Sequence, residues 1–148
     1  MWKGIDVSDN QGAINWAQIH KNVDFAILRS VRRSGKADHQ FAANLEGCRK
    51  RNIPMSVYKY TYAATPEAAR QEAQQVVVLL QSYGLTGTMV WWDVEDKDVL
   101  RPLGAAKLTE CIRAAQEVIT AAGYSFGLYV GLYVYNECWF DFNAFSGT

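Results

Sequence analysis

Short apolar runs alternate along the chain with longer segments in which apolar residues recur every three or four positions. Runs of the first kind are typical of buried strands and cover residues 4–8, 24–30, 55–62, 88–95 and 125–130. Segments of the second kind predict helices over residues 14–20, 39–52, 65–83 and 108–122. This strict alternation predicts an α/β fold in which helices cross between parallel strands.

The predicted helices carry recognisable end signals. Asn15 is a candidate N-cap of the first helix, and Thr65 with Pro66 and Glu67 forms a strong helix start. Gly84 and Gly123 follow the last apolar position of their helices, where glycine commonly ends a helix.

The order of elements favours a barrel over a nucleotide-binding sheet, because no glycine-rich phosphate loop follows any predicted strand. We therefore expect an irregular TIM-like (β/α) barrel in a single domain over residues 1–148. Such barrels usually need about 200 residues or more. Since five strands are clear and residues 135–148 look like a loop, we expect the barrel to be incomplete at its C-terminus.

Charge and composition exclude several classes of function. Fifteen Lys and Arg residues balance fifteen Asp and Glu residues, which gives no basis for binding nucleic acid or an acidic membrane. No segment reaches the roughly 18 apolar residues of a membrane span. Residues 1–6 lack the apolar stretch of a signal peptide. We expect a protein that is released by lysis, or secreted with a leader that this sequence lacks.

The cysteines and histidines predict no metal or redox centre. Cys48, Cys111 and Cys138 cannot all pair and contain no CxxC motif, so we expect free thiols. His20 and His39 have no partners at metal-ligand spacing and are interpreted as solvated helix residues. We therefore predict neither a metal nor a cofactor.

Two acids in the fourth predicted strand are the sharpest chemical signal. Asp93 and Glu95 point to the same face of a strand built otherwise from Val and Trp. Like charges so close together raise the pKa of one partner, as a general acid near neutral pH requires. The pair is therefore a candidate for acid/base catalysis. The alternative is that both lie beyond the strand end as solvated loop acids, or cap the next helix.

Asp6 ends the first predicted strand, so a barrel would place it on the same rim as Asp93. A turn-capping role before residues 8–10 is the alternative.

Tyr58, Tyr60 and Tyr62 share one face of the third strand, opposite Lys59. Tyr60 and Tyr62 are candidates for contacting sugar, whereas Tyr58 is expected to belong to the core.

In combination, these segments resemble family 25 of the glycoside hydrolases, which comprises N-acetylmuramidase lysozymes and phage-type endolysins. Each matching piece is short, but their order and spacing are specific, and they cover nearly the whole chain: residues 4–8, 11–12, 15–16, 25–29, 38, 41, 44, 53–54, 58, 60, 63, 91–95, 123–124 and 127–129.

The resemblance implies a β/α barrel that cleaves the β-1,4 bond after N-acetylmuramic acid in peptidoglycan. It implies Glu95 as general acid/base, and we then expect the pKa of Glu95 to be raised by Asp93 and by aromatic surroundings. It further implies Asp93 as the residue that assists the substrate's acetamido group, and Asp6 as a further active-site acid. Substrate-binding candidates in the matching stretches are Arg29, Trp91 and Tyr129, together with Tyr60 and Tyr62.

The sequence also departs from the family. Ser56 stands where the family often has glycine, and Lys59 where it often has histidine or an aromatic residue. Family members continue past the equivalent of Phe145 with two more strands and another rim aspartate.

Two alternatives follow from these departures. One is a non-catalytic domain that holds glycan in a muramidase-like cleft. The other is a structural fragment that folds by pairing with its own copy, because open strand edges invite pairing. We expect the helix stripe at Leu108, Ile112, Ala115 and Ile119 to be left partly uncovered. The chain would then form a homodimer, or rearrange residues 135–148 to fill the gap.

Overall fold

A five-stranded parallel sheet forms the centre of the computed structural model, which describes residues 1–147. The strands are β1 (Gly4–Val7), β2 (Phe25–Arg29), β3 (Met55–Tyr60), β4 (Met89–Asp93) and β5 (Ser125–Tyr129). Each strand pairs in parallel with the next strand along the chain, in the order β1-β2-β3-β4-β5. The predicted α/β fold with a parallel sheet is confirmed.

Five α-helices connect or follow these strands: α1 (Trp16–Ile19), α2 (Phe41–Arg49), α3 (Pro66–Ser82), α4 (Ala105–Ala121) and α5 (Leu132–Asn136). The predicted caps are confirmed: the Asn15 side chain accepts from the Gln18 amide and the Thr65 side chain from the Ala68 amide. Gly84 and Gly123 adopt φ values of 64° and 86°, the left-handed region that favours glycine at a helix end.

The core lies between the sheet and its long helices. α3 and α4 pack along each other, and the apolar stripe of α4 is at most 1% exposed at Leu108, Ile112, Ala115 and Ile119. The expectation that this stripe would be uncovered is therefore wrong. Cys48 and Cys111 are buried and Cys138 is exposed, and all three are free, as predicted.

The C-terminal segment is not the loop that its sequence indicated. It forms α5 and a 3-10 helix at Phe142–Phe145, and Trp139, Phe140 and Phe145 are buried. The Asp141 amide donates to Thr109 Oγ1 of α4 at 2.9 Å, which ties the segment to that helix. The clustered aromatic rings of this segment bury one another against the domain. The two expected outcomes, a homodimer or a rearranged tail that fills the gap, both stay predictions.

The sheet does not close into a barrel within residues 1–147. β1 pairs with β2 alone and β5 with β4 alone, so both are open edges. Near the β5 edge, Tyr129, Leu132 and Tyr135 are exposed apolar residues. An edge of this kind can pair with another chain, and the homodimer stays a prediction. Among the helices of residues 1–147, none is long and apolar enough to cross a membrane.

Candidate active site

The carboxyl ends of the five strands enclose an open cleft of about 360 Å³. Parallel strands bring their carboxyl ends to one edge, so side chains far apart in sequence meet there. Every residue that the sequence analysis selected for catalysis or substrate binding lines this cleft, together with three that it did not select for the site. The lining residues are Asp6, Asn10, Ile27, Arg29, Tyr58, Tyr60, Tyr62, Trp91, Asp93, Glu95 and Tyr129.

Strand register explains how the acids converge. Asp93, the last residue of β4, is aligned with Tyr60 of β3 and Tyr129 of β5, and Asp6 of β1 is aligned with Ile27 of β2. Glu95 lies two residues past the end of β4, which is shorter than the predicted strand, and its side chain lines the same cleft as that of Asp93. Asp6 is exposed, Glu95 is half-buried and Asp93 is buried, so the three carboxyl groups meet different environments.

Asp93 is the most unusual of these acids. It is 7% exposed, and no hydrogen-bond partner for its Oδ1 atom is present in residues 1–147. Burial raises the pKa of Asp93 from 3.8 to about 8, and the charge of Glu95, its hydrogen bond to Asp93 and the charge of Asp6 act in the same direction. The sequence analysis assigned a raised pKa to Glu95. The shift falls on Asp93 because its carboxyl group ends a buried strand.

The tyrosines of β3 and the residues after it form one wall of the cleft. Tyr60 and Tyr62 lie with ring centroids 5.0 Å apart, and the Arg33 guanidinium lies 4.4 Å from the centroid of Tyr62. Burial raises the pKa of Tyr60 and of Tyr58, which keeps both phenols neutral and able to donate hydrogen bonds. The assignment of Tyr58 to the core is wrong, because its half-buried side chain lines the cleft.

Lys59 points away from the cleft, as predicted, and forms a buried polar cluster behind the tyrosines. Its Nζ atom donates to the Tyr60 carbonyl at 2.6 Å and lies 3.4 Å from Glu72 of α3. Glu72 also accepts from the Thr61 hydroxyl at 2.6 Å and from the Tyr62 amide at 3.2 Å. Burial lowers the pKa of Lys59, and the Glu72 charge opposes this. The sequence analysis missed Glu72, although an acid beside the apolar stripe of α3 is a signal that could have identified it.

A second cluster supports the cleft from the β1 and β2 side. Arg29 Nη1 lies 3.4 Å from Asp9 and 3.9 Å from Asp38, and His39 Nδ1 lies 2.9 Å from Asp9. A hydrogen bond with His39 lowers the pKa of Asp9, and the nearby Arg29 charge adds to this. His39 is mostly exposed, as expected, but it precedes α2 and does not lie in a helix. Asn10, beside Asp9, was missed as a cleft residue because its segment resembles an ordinary turn.

Trp91 forms part of the cleft floor and is held in place from two sides. Its Nε1 atom donates to Ser56 Oγ at 3.1 Å. A β-carbon at Gly127 would lie 2.7 Å from the indole ring, so only glycine leaves room for it. Ser56, one of the departures from the family pattern, therefore anchors this indole.

Solved structures with this fold include an autolysin and an endolysin. The modular autolysin LytC from Streptococcus pneumoniae is 28% identical, with a TM-score of 0.81 over 91% of this chain and 33% of that chain. LytC in complex with a synthetic peptidoglycan ligand gives a TM-score of 0.80. The catalytic domain of endolysin ply40, from a bacteriophage of Listeria monocytogenes, is 23% identical with a TM-score of 0.77, over 93% of this chain and 67% of that chain.

The chain thus spans about a third of LytC and about two thirds of the ply40 catalytic domain. No curated protein matches the sequence. The profile of "Glycosyl hydrolases family 25" matches residues 5–147, which is nearly the entire chain. The chain therefore belongs to family 25 of the glycosyl hydrolases.

Proposed function

We propose that this protein is a peptidoglycan hydrolase of the lysozyme type, which cleaves the β-1,4 bond between N-acetylmuramic acid and N-acetylglucosamine. The observation that carries the proposal is the convergence of Asp6, Asp93 and Glu95 with aromatic side chains in one cleft. Membership of family 25 and the similarity to LytC, one structure of which holds a synthetic peptidoglycan ligand, support it.

Glycosidic cleavage needs a proton for the leaving oxygen and a nucleophile at the anomeric carbon. Glu95 is proposed as the proton donor because it is the half-buried acid at the cleft, reachable by a sugar and flanked by Asp93. As the bond to the leaving oxygen breaks, the proton that Glu95 shares with its hydrogen-bonded neighbour Asp93 passes through Glu95 to that oxygen, which leaves Asp93 charged. Glu95 then serves as the base that takes a proton from water in the second step.

Asp93 is proposed to assist the substrate's own acetamido group. In that route the acetamido oxygen attacks the anomeric carbon, as in substrate-assisted glycosidases. The free Oδ1 acceptor of Asp93 suits the acetamido N–H, which would hold the group in place for attack. Asp6, exposed on the neighbouring strand, adds negative charge that stabilises the oxocarbenium-like transition state.

We further propose that the open sheet represents the first five strands of a β/α barrel. The strand order supports this, because consecutive strands are neighbours throughout, as in a barrel. A doubly wound sheet would instead reverse its order at an internal strand.

We also propose that the protein acts after secretion or after release by lysis, because the similar structures include an autolysin and a phage endolysin.

The decisive experiment is product analysis. Purified peptidoglycan is incubated with the protein, the new reducing ends are converted to sugar alcohols, and the fragments are identified by mass spectrometry. Reduced muramic acid at the new ends is the expected result. Reduced glucosamine would contradict the proposed bond. Sedimentation of the protein with walls without any new ends would support the alternative of a non-catalytic glycan-binding domain.

Replacing Tyr62 with alanine is expected to weaken binding of a soluble glycan oligomer about 3- to 10-fold, the range typical of one aromatic contact. The melting temperature should change little, because the ring is only half-buried at the cleft. Isothermal titration calorimetry and a thermal melt measure the two effects. Tyr135→Ala, at an exposed tyrosine outside the cleft, is the matched control. Unchanged affinity in the Tyr62 variant would assign this ring to packing.

A further inference from the structure

We propose that Tyr133 and Gly131 are positioning residues for Glu95, which they hold from behind the cleft. Neither residue lines the cleft itself. The inference rests on the proposed function, in which the Glu95 carboxyl group transfers a proton. It is carried by two contacts that the chain segment after β5 makes with Glu95.

The first contact restrains the Glu95 backbone. Pairing between β4 and β5 extends to the hydrogen bond from the Val94 amide to the Tyr129 carbonyl, at 2.9 Å. Beyond it, the Glu95 carbonyl accepts a hydrogen bond at 2.9 Å from the Tyr133 hydroxyl. A side chain from α5 thus continues, past the end of the sheet, the restraint that strand pairing provides up to Val94.

Tyr133 is itself well restrained. Its ring lies edge-on to Trp139, with centroids 5.6 Å apart. On the ring face, Lys97 Nζ lies 4.3 Å from the centroid, a favourable cation–π distance. Because Trp139 is buried, the hydroxyl of Tyr133 projects from a fixed ring rather than from a mobile one.

The second contact limits the space available to the Glu95 side chain. A β-carbon at Gly131 would lie 2.7 Å from Glu95 Oε1 and 2.5 Å from Cε1 of Tyr133. Gly131 has φ −70° and ψ 152°, a conformation that any residue adopts, so its backbone does not require glycine. The requirement is for space, and a methyl group here would displace the carboxylate, the tyrosine or both.

Displacement matters because a general acid must lie about 2.6–3.2 Å from the atom that it protonates. A misplacement of about 1 Å can cost roughly 10²-fold in rate. The substrate, in contrast, is held by the tyrosines, Trp91 and the other cleft residues, which these contacts do not involve. Loss of the positioning contacts should therefore lower kcat and leave KM nearly unchanged.

The test compares Tyr133→Phe and Gly131→Ala with the parent protein on solubilised glycan strands. Loss of the hydroxyl should lower kcat about 3- to 10-fold, the value of one hydrogen bond. Gly131→Ala should lower kcat by about 10²-fold. KM should stay within about twofold for both, since the cleft is intact. Tyr135→Phe, on the same helix but exposed, should behave like the parent.

A second measurement reports on the position of the Glu95 carboxyl group and does not depend on an activity assay. Carbon-13 NMR of protein labelled at glutamate carboxyl groups, with the signal assigned through Glu95→Gln, should show the Glu95 signal shifted in both variants but not in Tyr135→Phe. An unshifted signal in both, or a kcat equal to that of the parent, would overturn the inference. If Glu95→Gln retained activity while the signals shifted, the proposed function would fail and the positioning would stand.

Discussion

Glu95→Gln is expected to lower the rate of glycan hydrolysis by about 10²- to 10⁴-fold, the usual cost of losing a general acid. Glutamine has nearly the same shape but cannot give a proton to the leaving oxygen. The half-buried position of Glu95 at the cleft should accommodate it without unfolding. Clearing of a cell-wall suspension and the appearance of reducing ends measure the loss, and circular dichroism checks the fold.

Asp98→Asn is the matched control for this substitution. Asp98 is an exposed acid three residues further along the same loop, and it does not line the cleft. The two variants remove the same formal charge from the same segment. Activity of Glu95→Gln within a few-fold of the parent, or an equal loss in Asp98→Asn, would remove Glu95 from the mechanism.

Asp93→Asn is expected to give an enzyme that is more stable and much less active. Activity should fall by about 10²- to 10³-fold, as for other preorganised groups that stabilise a transition state. In the proposed route, the proton held by the Asp93–Glu95 pair leaves through Glu95, so Asp93 becomes the anion that offsets the charge developing on the acetamido group. Asparagine keeps an oxygen acceptor but cannot supply that charge. Hydrolysis of solubilised glycan strands at saturating substrate measures this loss.

The stability gain of Asp93→Asn should depend on pH. Because burial raises the pKa of Asp93 from 3.8 to about 8, the folded protein keeps a proton that the unfolded chain releases. Below pH 3.8 the carboxyl group is neutral in both states and the variant should gain little. As pH rises towards about 8 the parent loses stability and the variant does not, so the gain is greatest above that pH.

Thermal melts between pH 4 and pH 9 provide the measurement, with Asp98→Asn as the control. Since 1 kcal/mol shifts the melting temperature of a domain of this size by about 2–4 °C, a gain of roughly 5 °C or more is expected at the alkaline end. Parallel curves for parent and variant would contradict the buried, protonated state of Asp93. Full activity in a stabilised variant would instead contradict its catalytic role.

Much of the fold was predictable because its determinants are local. The alternating strand and helix patterns, the caps at Asn15 and Thr65, and the glycines that end α3 and α4 all depend on near neighbours in sequence. The tail was mispredicted because its aromatic residues show neither strand nor helix periodicity. Phe140 and Phe145 are buried by contacts with each other and with the domain, which no short window of sequence reveals.

The candidate site, like the fold, has some features that local sequence predicts and others that depend on packing. The two-residue period of a strand predicted that Asp93 and Glu95 would lie together, and both line the cleft although β4 ends at Asp93. That Asp6 joins them follows from parallel strands ending at one edge. The sequence alone determined this set of acids and the family to which the chain belongs.

The tertiary structure alone decided how each group is surrounded. Asp93 is buried whereas Glu95 is half-buried. Because burial disfavours the charged carboxylate, the pKa of Asp93 is raised. Glu72 reaches Lys59 from another element, and Gly131 lies against a carboxylate 36 positions earlier in the chain. Burial and close approach depend on how distant segments pack, and packing is a property of the whole fold that the periodicity of any one segment does not contain.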